Sequence, residues 1–244
     1  MSLAVFLRKV AEILDEAGVP YMLTGSLASA YYAVPRATQD LDVVIAAEEP
    51  GIERVVQDLL KAQWYVGREA ALEARRTQGQ FTAIDPESGW KVDLIVRRDR
   101  TYSRTEFERR ERVALLGVEV AVASLEDFVI AKLEWGRLGD SALQRRDVVQ
   151  LLERAWDQLD QAYLKEWITD LGLQSEWDEA RRQVERRGLG SGRTASRPAS
   201  IPGAAQPWVG MLLPQHNAEA LGGDITCRWA RSDFPPRNKR CDRG

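Results

Sequence analysis

The 244 residues predict a mixed α/β domain followed by a helical segment and an unstructured tail. Three observations carry that prediction. In the first half, short apolar runs alternate with helical periodicities; from Ser124 onward only helical signals remain; after Arg187 the apolar residues lose any period while Pro and Gly accumulate. The expected organisation is an α/β (α+β) domain with a short mixed sheet over residues 1–123, a C-terminal helical bundle over 124–187 and a disordered tail over 188–244.

Leu3, Phe6, Leu7, Val10, Ile13 and Leu14 share one helical face, and Gly18 with Pro20 supplies the stop. Tyr21 to Thr24 reads as a buried strand that ends at Gly25-Ser26 and turns into a helix through Leu27 to Tyr32. The next strand is Leu41-Asp42-Val43-Val44-Ile45-Ala46, and Ile52, Val55, Val56, Leu59 and Leu60 mark the helix after it. Phe81 to Ile84 and Trp90 to Val96 flank the turn sequence Asp85-Pro86-Glu87-Ser88-Gly89, which predicts an antiparallel pair. Ser124 with Asp127 has capping-box spacing ahead of a helix of about 14 residues. Ser141 with Gln144 repeats the signal, and helical stretches follow at 160–171 and 176–187. The tail holds 6 of the 10 prolines and 8 of the 18 glycines and carries a net charge of +4 against −7 for residues 1–187, a composition for which disorder is the expectation.

Scarcity narrows the chemistry. The one histidine, His216, and the two cysteines, Cys227 and Cys241, lie in the last 30 residues. Residues 1–215 therefore lack Ser-His-Asp and Cys-His machinery and Cys/His metal clusters, leaving carboxylates, hydroxyls, Lys, Arg and a hard metal ion. No disulfide framework is suggested, in keeping with a reducing compartment. The first helix mixes Arg8, Lys9, Glu12, Asp15 and Glu16 into its apolar residues, unlike a signal peptide, and no long apolar run occurs. A cytoplasmic protein with no membrane partner is the expectation. A net charge of −3 argues neither for nor against a nucleic-acid partner.

Chemistry concentrates between Thr24 and Ile45. Asp40 and Asp42 are two apart in a strand pattern, which sends both carboxylates to one face with Leu41 and Val43 opposite. Neighbouring carboxylates repel unless a cation lies between them, so the pair suits a divalent metal. Gly25-Ser26 closes a strand and opens a helix, where free N–H groups and the helix dipole favour a phosphate. Asp93, opposite Val92 and Leu94 in its own strand, is a third carboxylate that could join the first two if its strand is adjacent to theirs. Three carboxylates beside a phosphate-binding turn is the arrangement that two-metal nucleotidyl transfer requires, with one Mg²⁺ activating the attacking hydroxyl and a second holding the triphosphate of an NTP.

Gly25-Ser26, 13 intervening residues, Asp40-Leu41-Asp42 and a later strand with Asp93 resemble the signature of the DNA polymerase β-type nucleotidyltransferase superfamily. Within it, Arg36 to Asp42, Lys91-Val92-Asp93, Lys132-Leu133-Glu134 and Arg146-Asp147 resemble the minimal nucleotidyltransferases of the AbiEii-type toxin group, over roughly residues 3 to 187. The resemblance implies a nucleotidyltransferase fold and a Mg²⁺-dependent enzyme that moves an NMP from an NTP to a hydroxyl of RNA (a tRNA included) or protein. It also implies a toxin of a toxin–antitoxin pair, with a cognate antitoxin as partner. Gly25 and Ser26 would contact the β- and γ-phosphates, Asp40 and Asp42 both metals, and Asp93 the catalytic metal and the acceptor hydroxyl. Lys132 would approach the nucleotide phosphates and Asp147 would support the site. Arg145 to Gln150 lacks the second nearby Asp that some relatives carry.

Other readings stand beside these. Lys132 falls on the apolar side of its helix and could simply extend its ammonium to solvent. Arg36 and Thr38, just upstream of the aspartates, are placed for nucleotide binding, although Arg36 suits an ion pair that holds the loop equally well. Seven arginines from Arg97 to Arg112 are suited to drawing RNA or a triphosphate to the site mouth, while the interleaved Glu106, Glu108 and Glu111 suit a salt-bridged, solvent-facing helix. Gly188, Gly190 and Gly192 lack the strand and the Gly-Lys-Ser/Thr of a phosphate loop. A small-molecule nucleotidyltransferase of the antibiotic-modifying kind would use the same carboxylates. A non-catalytic nucleotide-binding or antitoxin-like module would not need all three.

Overall fold

The computed structural model describes residues 2–32, 40–139 and 141–188. In chain order these form α1 (Leu3–Glu16), β1 (Tyr21–Thr24), α2 (Gly25–Tyr32), β2 (Asp40–Ile45), α3 (Glu49–Lys61), β3 (Tyr65–Val66), α4 (Arg68–Thr77), β4 (Gln80–Ile84) and β5 (Lys91–Val96). They continue as α5 (Thr101–Glu108), β6 (Glu111–Leu115), β7 (Val118–Val122), α6 (Leu125–Leu138), α7 (Ala142–Ala155), a 3₁₀ turn at Trp156–Gln158, α8 (Gln161–Asp170) and α9 (Gln174–Arg186). None of the described helices is long and apolar enough to cross a membrane.

The architecture is mixed α/β, as expected, around a seven-stranded sheet of order β3-β4-β5-β2-β1-β7-β6. The β2–β5 and β1–β7 pairs are parallel and the other four are antiparallel. Strand alternation gives the sheet two apolar faces. Leu23, Leu41, Val43, Ile45, Val92 and Leu94 pack with α1, α3 and α4 on one side. Phe6, fully buried, sets that layer by stacking on Trp64 at 5.0 Å between ring centroids and on Trp90 at 5.8 Å. On the other side Met22 and Ala28 share a core with Tyr102 and Phe107 of α5 and with the apolar faces of α6 to α9. The C-terminal helices thus bury their apolar stripes against β1, α2 and α5, which precede them in the chain.

The capping signals place α6 and α7 well: the Ser124 side chain accepts from the Asp127 N–H, and that of Ser141 from the Gln144 N–H. The stretch around Arg97 to Arg112 departs from the expected solvent-facing helix. The helix ends at Glu108, and Glu111 opens an edge strand that returns through Leu116-Gly117, both at positive φ. The two-residue period of Val113, Leu115, Val118, Val120 and Val122 about that turn outweighs the local Arg/Glu spacing.

Four of the seven arginines do not stand ready for RNA or a triphosphate, because acidic side chains already hold them. Arg100 makes two 2.6 Å hydrogen bonds to Glu134, which Arg98 also faces at 3.8 Å. Arg109 donates to Glu126 at 2.9 Å and Asp127 at 3.1 Å while lying over the Tyr163 ring. Arg104 pairs with Asp99 at 2.7 Å. The fully buried Asp127 also accepts from the Ser124 and Tyr163 hydroxyls, both at 2.6 Å. The network ties α5 and its flanks to α6 and α8, with Glu126, Asp127 and Glu134 each matched to a donor, as buried charge requires.

Two expectations follow. Phe6→Ala opens a cavity between Trp64 and Trp90 and should cost about 3–5 kcal/mol in denaturant unfolding; a loss below about 1 kcal/mol would contradict the packing. Glu106 is pushed up from 4.5 to about 8 by desolvation and by Asp127, against the opposing charge of Arg100, with Glu134 adding to the rise and Arg98 countering it. A carboxyl whose folded value is raised costs stability once pH exceeds its unfolded value, so this loss grows from about pH 4.5 to about pH 8. Thermal melts of Glu106→Gln and wild type should therefore diverge in favour of the variant as pH rises through that window. A pH-independent gap would contradict the assignment.

Candidate active site

Backbone register assembles the site. Thr24 of β1 is opposite Asp42 of β2, Asp42 is opposite Asp93 of β5, and Asp93 is opposite Thr82 of β4. These four residues form one row across four adjacent strands, and in-register neighbours project to the same face of a sheet. Leu41, Val43, Val92 and Leu94, which alternate with the aspartates, are buried on the opposite face. The carboxylates of Asp42 and Asp93 therefore share one side of the sheet, the side that carries α6 and α7. Asp40 is one pleat away on the same face, level with Lys91, whose ammonium lies 4.0 Å from Asp40 Oδ1.

Gly25 is required where β1 meets α2. Its φ is +65°, and a Cβ there would fall 1.7 Å from Asp42 Oδ2, so no other residue lets the chain pass so close to the carboxylate. The next residue, Ser26, directs its backbone N–H to Asp42. The first turn of α2 thus grips the aspartate directly, whereas the sequence reading assigned this bend to a phosphate alone.

Both central carboxyls resist ionisation. Asp42 is raised first by burial and then by the charge of Asp93, with Asp40 adding to the rise, against the opposing pull of Lys132 and the Ser26 N–H. Asp93 is raised by burial, lowered by the Thr82 hydroxyl that donates to it, raised again by Asp40 and lowered by Lys91. Thr82 was missed in the sequence reading, although pairing the strands about the Asp85–Gly89 turn puts it opposite Asp93.

Lys132 of α6 and Asp147 of α7 form an ion pair of 2.9 Å, their side chains only 5% and 8% exposed. Lys132 does not extend to solvent; its ammonium sits 5.2 Å from the Phe128 ring, with its charge felt at Asp42. Asp147 is the partner that holds it. Arg36 and Thr38 lie outside the described residues.

Hard oxygen donors facing one another under mutual repulsion fit a divalent cation, which would replace that repulsion with attraction. Among the described residues no group of three or more Asp, Glu, His or Cys forms a ready-made metal cage. Mg²⁺ does not demand one, since it commonly takes one or two carboxylates and completes its shell with water and substrate phosphate.

No protein-family model matches the sequence, and comparison with curated proteins gives no match. Among solved structures, the chain is similar to the antibiotic-resistance factor ANT(2'')-Ia in solution, at 13% identity and a TM-score of 0.46, over 77% of this chain and 97% of that one. The crystal structure of ANT(2'')-Ia in complex with adenylyl-2''-tobramycin matches at 15% identity and a TM-score of 0.44, over 76% and 98%. An antigenic nucleotidyltransferase-like protein from Paracoccidioides brasiliensis matches at 19% and 0.43, over 72% and 91%. These are likenesses of broad outline.

Gly25→Ala should displace Asp42 and lower stability by about 1 kcal/mol or more in denaturant unfolding, through the positive φ alone; a neutral variant would contradict the close approach. Asp147→Ala removes the carboxylate from the buried Lys132 pair and should cost about 3–5 kcal/mol, most of it recovered in a Lys132→Met, Asp147→Leu double variant. An inexpensive single variant would mean that the pair is solvated in solution.

Proposed function

We propose that the protein is a Mg²⁺-dependent nucleotidyltransferase that moves an NMP from an NTP to a hydroxyl and releases pyrophosphate. The observation that supports this reading most is the in-register pairing of Asp42 with Asp93 on one sheet face, next to the N-terminus of α2. Asp42 and Asp93 would hold the divalent cations, with Asp40 at the rim. So bound, the metal would neutralise triphosphate charge and make the attacking hydroxyl more acidic.

The chain's own residues divide the remaining tasks. Gly25 lets the backbone reach Asp42, and the Ser26 N–H fixes that carboxylate. The first turn of α2 places the positive end of a helix dipole where phosphate would arrive. Thr82 holds Asp93 by its hydroxyl, orienting the carboxylate that would accept the proton of the acceptor. In the transfer, the acceptor oxygen bonds to the α-phosphorus, the bond from that phosphorus to the bridging oxygen breaks, and the electron pair leaves with pyrophosphate. Lys132, held by Asp147, adds positive charge behind the aspartates. An RNA or protein hydroxyl as acceptor, and a toxin neutralised by an antitoxin, are the finer form of this reading that the sequence resemblance supports. A small-molecule hydroxyl would be served by the same groups.

The test is transfer of label from each of the α-labelled NTPs to RNA, protein and an aminoglycoside. Asp42→Asn and Asp93→Asn should each reduce transfer by about 10³-fold or more, as should chelation of divalent metal, with thermal unfolding still cooperative. Wild-type turnover in either variant would overturn the mechanism.

A further inference from the structure

The arginines from Arg97 to Arg112 fall into two groups. Arg98, Arg100, Arg104 and Arg109 pair with carboxylates, whereas Arg97, Arg110 and Arg112 enter no ion pair among the described residues. These three lie close together. The guanidiniums of Arg97 and Arg110 both lie over the Phe107 ring, 5.5 and 4.3 Å from its centroid, and Arg97 Nε is enclosed without a hydrogen-bond partner. Burial first, and then the charges of Arg112 and Arg97, hold Arg110 below the usual arginine value. Like charges gathered with no carboxylate at ion-pair distance repel one another, and an anion seated between them would relieve that repulsion.

A cleft of about 430 Å³ opens beside them, lined by Arg110 and Arg112 together with Asp15, Pro20, Tyr21 and Glu108. It lies at the opposite end of the strands from the aspartates. Tyr21 pairs with Ile45 at the far end of β2, and the Arg97 N–H donates to the Ile45 carbonyl at 2.9 Å, whereas Asp42 pairs with Thr24. Three residues of extended chain separate the two levels, about 10 Å along the strand. The cleft therefore cannot be the mouth of the aspartate site.

We propose that this cleft binds a phosphorylated small molecule, its phosphate held by the fork of Arg112 and by Arg110, whose Nη1 already donates to the Phe107 carbonyl, with the charge of Arg97 behind them. The guanidinium fork matches phosphate oxygens in pairs. Pro20 and Tyr21 offer an apolar wall to the body of the ligand, and Asp15 and Glu108 accept from its hydroxyl or amino groups. Those two carboxylates at the rim disfavour a polyanionic backbone, which is why a small ligand fits better than a nucleic acid. The site is independent of the proposed transfer chemistry.

Calorimetric titration of the full chain in EDTA, with inorganic phosphate, AMP, ribose 5-phosphate and adenosine as separate probes, tests this. At least one phosphorylated probe should bind saturably while adenosine does not. Inorganic phosphate alone, AMP alone or ribose 5-phosphate alone among the binders would identify which part of the ligand the cleft reads. Arg112→Gln, on an exposed edge-strand position, and Arg110→Gln should each weaken binding at least about tenfold, the loss expected for one charge-assisted hydrogen bond. Circular dichroism melts should remain cooperative for both variants, and Arg112→Gln should leave nucleotidyl transfer unchanged. Absence of saturable binding, or binding that both variants leave intact, would overturn the proposal. So would a 12-residue RNA that binds this surface more tightly than every small probe.

Discussion

Two carboxylates are held level with each other on adjacent parallel strands, and the rest of the site depends on that confrontation. Ordinarily such a pair would move apart or take up a proton. Here neither strand can shift, because a slip of one residue would turn Leu41, Val43, Val92 and Leu94 out of the core and the aspartates into it. The apolar face of the sheet thereby pins a charged arrangement on the other face. Burial energy spread over many residues sustains local repulsion at two of them.

Around this pair the fold supplies restraint from three directions. Gly25 brings the first turn of α2 against Asp42, Thr82 fastens Asp93 from the next strand, and Lys132 contributes charge from α6 while Asp147 keeps it in place. Each comes from a different element, and the C-terminal helices supply two of the four. The shared core of Met22, Ala28 and Phe128 explains how those helices are seated closely enough for a lysine on α6 to act electrostatically on a strand residue.

Much of this was readable from local pattern. Period-two alternation placed Asp40, Asp42 and Asp93 on the polar sides of their strands, the Asp85–Gly89 turn paired β4 with β5, and serine caps located α6 and α7. What escaped was information held in pairing rather than in a single segment. Nothing local says that β2 and β5, about fifty residues apart in sequence, align Asp42 with Asp93 in register. The β6–β7 hairpin was hidden because Glu106, Glu108 and Glu111 imitate a salt-bridged helix, while the valines that decide the matter come after them. Arginine spacing gave no clue to which guanidiniums would find carboxylates, since the partners of Arg98, Arg100 and Arg109 reside on α6.

Whether the facing aspartates hold a divalent cation is tested most directly by Mn²⁺ titration of the full chain, followed by electron paramagnetic resonance with inorganic triphosphate present. Wild type should take up Mn²⁺ at least about tenfold more tightly than a variant in which both Asp42 and Asp93 are asparagine, the difference expected when charged ligands are lost. Equal uptake by the two proteins would contradict the central claim.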